Sequence, residues 1–183
     1  MAKKDKFTQV INIQPYHSPC GDLILGSIDS KLCLCDWANG KNRNRALKRL
    51  QKVFQADLIE NTTEIIQKAT HQLDEYFSGK RMEFDIALLF VGTEFQRQAW
   101  QKLLEIPYGA TISYSEQAQR LDAPKAVRAV ANANGANAIS IFAPCHRVIG
   151  GNSSLTGYGG GLDAKKYLLD LEQSAATPFV SKY

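Results

Sequence analysis

The apolar pattern of this chain changes character at Gly92, and that change limits the folds open to it. Before Gly92, strand-like pieces alternate with helices; beyond it the pattern is helical almost throughout, up to a glycine-rich stretch near residue 157. The spacing predicts strands over residues 10–13, 23–28 and 32–37, with Asp29-Ser30 as a hairpin connection and therefore antiparallel neighbours. A helix over 46–54 carries Leu47, Leu50, Val53 and Phe54 on one face, and leaves Arg45, Lys48, Arg49 and Lys52 to solvent. Asn61 followed by Glu64 reads as a capping box opening a second helix, whose apolar stripe runs from Ile65 through Leu73 to Phe77 before Gly79. Residues 84–90 read as a further strand.

Beyond Gly92 a helix over 95–104 is broken at Pro107, and Ser113 with Glu116 forms another capping box for a helix over 114–121. Asp122 and Ala123 turn the chain, and Pro124 opens a third helix over 125–134 that Gly135 can end. Two short helices joined by a tight turn have the outline of a helix-turn-helix. Val127, Val130 and Ala131 would face the core, while Ala126, Ala129 and Ala133 make a narrow face without base-reading groups. That face suits either helix packing or close approach to nucleic acid without sequence readout, with Lys125 and Arg128 supplying charge. The fold class expected is α+β: a small antiparallel sheet with helices over 1–92, then a mostly helical part over 93–183.

Composition narrows the setting. With 183 residues, 44% of them hydrophobic, the chain can bury a real core. The net charge of +4 permits a nucleic-acid partner without implying one, since residues 94–183 hold nine Lys and Arg against seven Asp and Glu. The longest apolar run, residues 86–91, is far below the ~20 residues a membrane span needs. The basic Met1–Lys6 stretch leads into alternating residues rather than a secretory core, so a cytosolic protein with reduced thiols is expected.

The stretch from Ile141 to Gly150 is apolar except for Cys145, His146 and Arg147 in succession. A thiol with a free pKa of ~8.5 becomes a useful nucleophile when positive charge or a base raises its thiolate fraction, and both neighbours qualify. Consecutive side chains in extended structure diverge, so a bridging water would have to connect His146 to the sulfur. Taken alone, the run fits equally a buried structural cysteine beside a surface histidine.

Pro144-Cys145-His146-Arg147-Val148 nevertheless resembles the reactive-cysteine sequence of the O6-alkylguanine-DNA alkyltransferases. The likeness extends over Ile106-Pro107-Tyr108-Gly109, Ile112-Ser113-Tyr114, residues 124–130, Asn137, residues 157–162 and 168–172. The resemblance implies a ribonuclease-H-like amino-terminal domain and a protein, acting as a monomer without metal or organic cofactor, that moves an alkyl group from O6 of guanine in duplex DNA to its own cysteine. Cys145 would accept the alkyl group, His146 would serve as base through water, and Glu172 would orient the imidazole. Asn137 would hold the active-site turn. Arg128 would enter the base stack in place of an extruded nucleotide, with Tyr114, Ser115 and Lys125 also meeting DNA. Backbone at Cys145 and Val148, with Tyr158 and Gly159, would shape the guanine pocket.

Two departures, Ala138 where proline is usual and Ala143 where a larger aliphatic is usual, point to a looser pocket wall. Cys33 and Cys35, placed on one strand face, could with Cys20 and His17 suggest zinc, but their spacings are not those of a finger, and ordinary core cysteines are expected. The rivals are a non-catalytic lesion-recognition protein, opposed by Cys145; a helix-turn-helix regulator, opposed by the alanine face; and a cysteine hydrolase, which lacks a remote histidine in a comparable motif.

Overall fold

The structure, a computed structural model, describes residues 9–40 and 43–176; the Met1–Lys6 stretch lies outside them. Strands β1 (Gln9–Ser18), β2 (Gly21–Ile28) and β3 (Lys31–Trp37) form an antiparallel meander. Asp29 and Ser30 connect β2 to β3 with φ of 47° and 58°, the left-handed pair that a two-residue hairpin turn requires. Helix α1 (Arg43–Phe54) then crosses over, and β4 (Ala56–Glu60) pairs parallel with β1, giving the order β3-β2-β1-β4. The spacing of apolar residues did not foretell β4, a five-residue edge strand with an acidic residue at its end.

Helix α2 (Glu64–Phe77) packs Ile66, Ala69, Leu73 and Tyr76 against one sheet face, and α1 packs Ala46 and Leu50 against the other. The α2 cap is Thr63, whose Oγ1 accepts from Ile66 N at 3.2 Å; Asn61 instead donates to Asn12 on β1. Val53 falls in the last turn of α1, before Gln55 reverses the chain with φ of 48°, and is left exposed. Arg49 is not a solvated charge, for it donates to Ala136 O at 3.0 Å and lies over the Trp100 ring.

A bulge between Gly26 and Ser27 pairs them with Leu34 and Leu32 and leaves Cys33 as the extra residue. Cys33 therefore joins the α1-side core and Cys35 the α2-side core, so the two thiols do not share a face. His17 turns to Asp22 at 2.7 Å, and among the described residues no cluster of His, Cys, Asp and Glu converges as a metal site.

The outer edge of β3 ties the sheet to the second half. Residues 84–90 form no continuous strand, because this edge is shared: Leu32 pairs with Leu88, and Cys35 with Ile139. Helix α3 (Glu94–Leu103) opens with a reciprocal capping box between Thr93 and Gln96. A two-residue strand β5 (Ile112–Ser113) leads into α4 (Tyr114–Arg120). Ser113 accepts from Glu116 N, but the Glu116 carboxylate pairs with Arg120 at 2.6 Å, so only half of the expected box forms.

Helix α5 (Val127–Gly135) begins three residues after Pro124, which stays in the turn. It buries Val130, Ala133 and Asn134, while Ala131 is exposed and Val127 half-buried. The reason is polar: Asn134 and Gln117 of α4 exchange amide hydrogen bonds of 2.7 and 3.2 Å, rotating Ala133 inward with them. A 3-10 turn over Cys145–Arg147, a short strand β6 (Val148–Ile149) parallel to β5, and helix α6 (Leu162–Ala176) complete the fold. No helix among the described residues is long and apolar enough to cross a membrane.

Candidate active site

Cys145 opens the 3-10 turn directly after Pro144, its N–H donating to Ala143 O at 2.8 Å. The approach to it is strained: Ile141 is β-branched yet has φ of 71°, a conformation costing of order 1–3 kcal/mol that persists only where surroundings over-determine it. Asn137 supplies much of that constraint. Its Oδ1 accepts from Ile139 N at 2.9 Å, and its Nδ2 donates to Ala143 O at 2.9 Å and to the Cys145 Sγ at 3.4 Å. One side chain thus ties both ends of the turn to the sulfur.

Because residues 145–147 form a turn instead of a strand, the imidazole and the guanidinium both reach α6. Glu172, wholly buried, accepts from His146 Nε2 at 2.7 Å, from Arg147 Nε at 2.8 Å and Nη2 at 3.0 Å, from the Tyr76 hydroxyl at 2.7 Å and from Gly109 N at 3.1 Å. Burial would raise the carboxyl pKa, but the hydrogen bonds from His146 and Arg147, with the Arg147 charge, overcome it and hold it at about 2. Arg147 also donates to Ile106 O at 2.6 Å, so its charge is committed to Glu172 and does not serve the thiol.

Burial lowers the His146 pKa against the pull of Glu172, so the ring is neutral near pH 7. With Nε2–H donating to Glu172, Nδ1 is left unprotonated, and it has no hydrogen-bond partner among the described residues. Burial likewise pushes the Cys145 thiol up, with Asn137 and Lys165 pulling the other way. The resting pair is therefore a neutral thiol and a neutral base.

Lys165 was not foreseen. It is wholly buried on α6, donates to Val148 O at 2.7 Å and Thr156 O at 3.0 Å, and lies 5.8 Å from the Tyr114 ring centroid. Its signal was available in the spacing, for Lys165 shares one helical face with Leu168, Leu169 and Glu172. The Val148 carbonyl, expected to shape the guanine pocket, accepts from this lysine, and the Val148 side chain is buried.

In front of the sulfur lies a cavity of about 880 Å³ whose walls include Cys145, Tyr114, Arg128, Tyr158, Gly159 and Trp37. Pockets for small organic ligands run to roughly 300–1,000 Å³, so a purine base fits this one. Lys125 and Ser115 are exposed nearby in sequence but are not part of its wall, and Ser115 Oγ bonds Ser113 Oγ at 2.9 Å. His146 and Glu172 stand behind the sulfur, away from the cavity surface. Ala138 and Ala143 do not line it either; Ala138 packs under the sheet and Ala143 behind the sulfur with Trp100.

The description "6-O-methylguanine DNA methyltransferase, ribonuclease-like domain" matches residues 13–90, and "6-O-methylguanine DNA methyltransferase, DNA binding domain" matches residues 94–174. The chain belongs to this family. The methylated-DNA--protein-cysteine methyltransferase of Methanosarcina barkeri is 45% identical over 157 residues, covering 86% of this chain and 94% of its own. The one from Mycobacterium leprae is 44% identical over 167 residues, covering 90% and 93%. The crystal structure of Mycobacterium tuberculosis OGT in complex with DNA matches with a TM-score of 0.77 at 40% identity, over 92% of this chain and 96% of that one. As a member of the methyltransferase family, the chain places its free thiols, Cys20, Cys33, Cys35 and Cys145, very differently: Cys145 is the one held against the cavity by an amide and backed by a His-Glu pair.

Proposed function

We propose that this chain is a DNA repair protein that transfers the alkyl group of O6-alkylguanine in duplex DNA to its own Cys145. The observation that carries this reading is the Cys145 sulfur at the cavity wall, hydrogen-bonded by Asn137 and backed by the His146-Glu172 pair. Relatives named for transfer to a protein cysteine, and a neighbour solved with DNA, support it.

His146 Nδ1 takes the thiol proton through a water; the sulfur attacks the alkyl carbon; the carbon–O6 bond breaks; guanine leaves and regains a proton from the imidazolium. Glu172 keeps Nε2–H in place and stabilises the transient imidazolium, and Lys165 favours the thiolate. In-line attack on the alkyl carbon, opposite its bond to O6, needs room that a stacked base does not have, so the nucleotide must be turned out of the helix, with Arg128 filling the gap and Tyr114 beside the extruded base. The turned pair α4 and α5 serves this use as a helix-turn-helix that reads no sequence, and Lys125 and Ser115 add backbone contacts. The thioether is a stable bond, so each molecule acts once, as a monomer in the cytosol and without a cofactor. We take Gly92 as the boundary between the two domains, a division that the two family matches on either side of it support.

The deciding experiment mixes the protein with duplex carrying labelled O6-methylguanine and follows label onto protein. Label should reach Cys145 stoichiometrically and should not reach a folded Cys145→Ala variant; equal labelling of that variant would refute the assignment.

A further inference from the structure

The sheet contributes Gly21, Asp22 and Trp37 to the cavity, and neither the reaction nor the family comparison uses the tryptophan. Trp37, the last residue of β3, is nearly buried, yet it forms part of the same wall as Cys145. Its indole meets Tyr158 edge to face, with centroids 5.7 Å apart at 68°. The ring lies against the backbones of three glycines. A Cβ built on Gly160 would lie 2.5 Å from indole Cδ2 and Cε2, one on Gly159 3.3 Å from Cδ1, and one on Gly21 3.2 Å from Cζ3. No side chain fits at Gly160 while the ring is there, because real Cβ atoms do not approach to that distance.

A loop as rich in glycine as residues 157–161 could recede from a bulky adduct, since its backbone is little restricted. Here it has nowhere to recede to. The indole stands directly behind Gly159 and Gly160, and the indole is carried by β3, which is hydrogen-bonded to β2 on one side and pinned at Cys35 to Ile139 on the other. The two alanine departures cannot provide compensating room, because neither reaches the cavity. The rigid element of this wall is therefore the tryptophan.

We propose that Trp37 sets the upper size of the alkyl group this protein accepts, acting as a fixed backstop to the Tyr158-Gly160 loop. The inference rests on the alkyl-transfer reading and deepens it by naming the substrate range: methyl and other short adducts react readily, and bulky aryl-methyl adducts are discriminated against at this wall.

The test uses one duplex sequence carrying either O6-methylguanine or O6-benzylguanine, so that only the adduct differs. Second-order transfer rates are measured for the wild type, Trp37→Phe, Trp37→Ala and Gly160→Ala. The benzyl-to-methyl rate ratio should rise by about tenfold or more in Trp37→Ala and by less in Trp37→Phe, the scale on which apolar pockets discriminate by size. Gly160→Ala should lower the ratio, because the added methyl pushes the loop toward the cavity, and should lower it much less when combined with Trp37→Ala. A merely structural tryptophan would reduce both rates by the same factor. An unchanged ratio in whichever Trp37 variants fold, Trp37→Phe being the conservative one, would overturn the proposal while leaving the transfer reading intact. Failure of the wild type to accept either adduct would overturn both.

Discussion

Replacing Glu172 by glutamine tests the centre of the site, and its magnitude can be worked in two ways. The carboxylate is wholly buried and accepts from Tyr76, Gly109, His146 and twice from Arg147. Removing one partner of a buried ion pair, here leaving the Arg147 guanidinium unpaired, costs roughly 3–5 kcal/mol. Independently, a folded pKa of about 2 against an unfolded value near 4.3 corresponds to about 3 kcal/mol at neutral pH. The agreement makes an expected loss of about 3 kcal/mol or more by urea unfolding at pH 7. The pH dependence separates charge from shape. Since the folded pKa is depressed, the contribution is complete above about pH 5, is about half gone by pH 3, and disappears below about pH 2. The wild-type advantage over Glu172→Gln should therefore narrow as pH falls through that window. Transfer from free O6-benzylguanine should also slow about 10²-fold, because the amide no longer enforces Nε2–H on His146. A variant less than about 1 kcal/mol weaker, or a gap constant between pH 5 and pH 3, would refute the assignment of Glu172 as the ionised hub.

Asn137→Ala leaves Ile139 N and Ala143 O without their partners, and should cost about 2–4 kcal/mol, or roughly 5–15 °C in thermal midpoint, beside releasing the sulfur. A melting curve superimposable on the wild type would contradict the tying role given to this amide. Arg128→Ala removes an exposed side chain at the cavity wall and should slow transfer from duplex far more than transfer from the free base O6-benzylguanine. Equal slowing on both would place Arg128 in the sulfur chemistry and not in extrusion.

The parts of this architecture that were legible in the sequence are those whose cause is local. Asp29-Ser30 turns a hairpin because two adjacent residues take left-handed φ, and the Cys145-His146 motif sits in an apolar run that had to bury it. What was missed depends on register and on distant partners. Cys33 and Cys35 look like neighbours on one face until a bulge across the ladder shifts one of them to the other core. Lys165 lies on the buried face of its helix by spacing, but the acceptors that satisfy it, Val148 O and Thr156 O, belong to other segments and are set by the tertiary fold. Ala143 was expected to loosen the pocket, yet the turn hides it, and the wall includes Trp37 from more than a hundred residues earlier.

The same distant contacts explain why a site for covalent chemistry can rest unreactive. A standing thiolate-imidazolium pair would need two charges in a place where burial raises the thiol and lowers the imidazole, so the proton stays on sulfur. The buried carboxylate behind the sulfur, Glu172, is already balanced by Arg147, which leaves the imidazole free to be a base without being charged beforehand. Proton removal is then favourable only when an electrophilic carbon lies in the cavity and the charge developing on sulfur passes directly into the leaving base. On the proposed reading, in which one reaction spends the protein, that arrangement keeps the thiol from stray electrophiles and restricts its consumption to adducts that the cavity can seat.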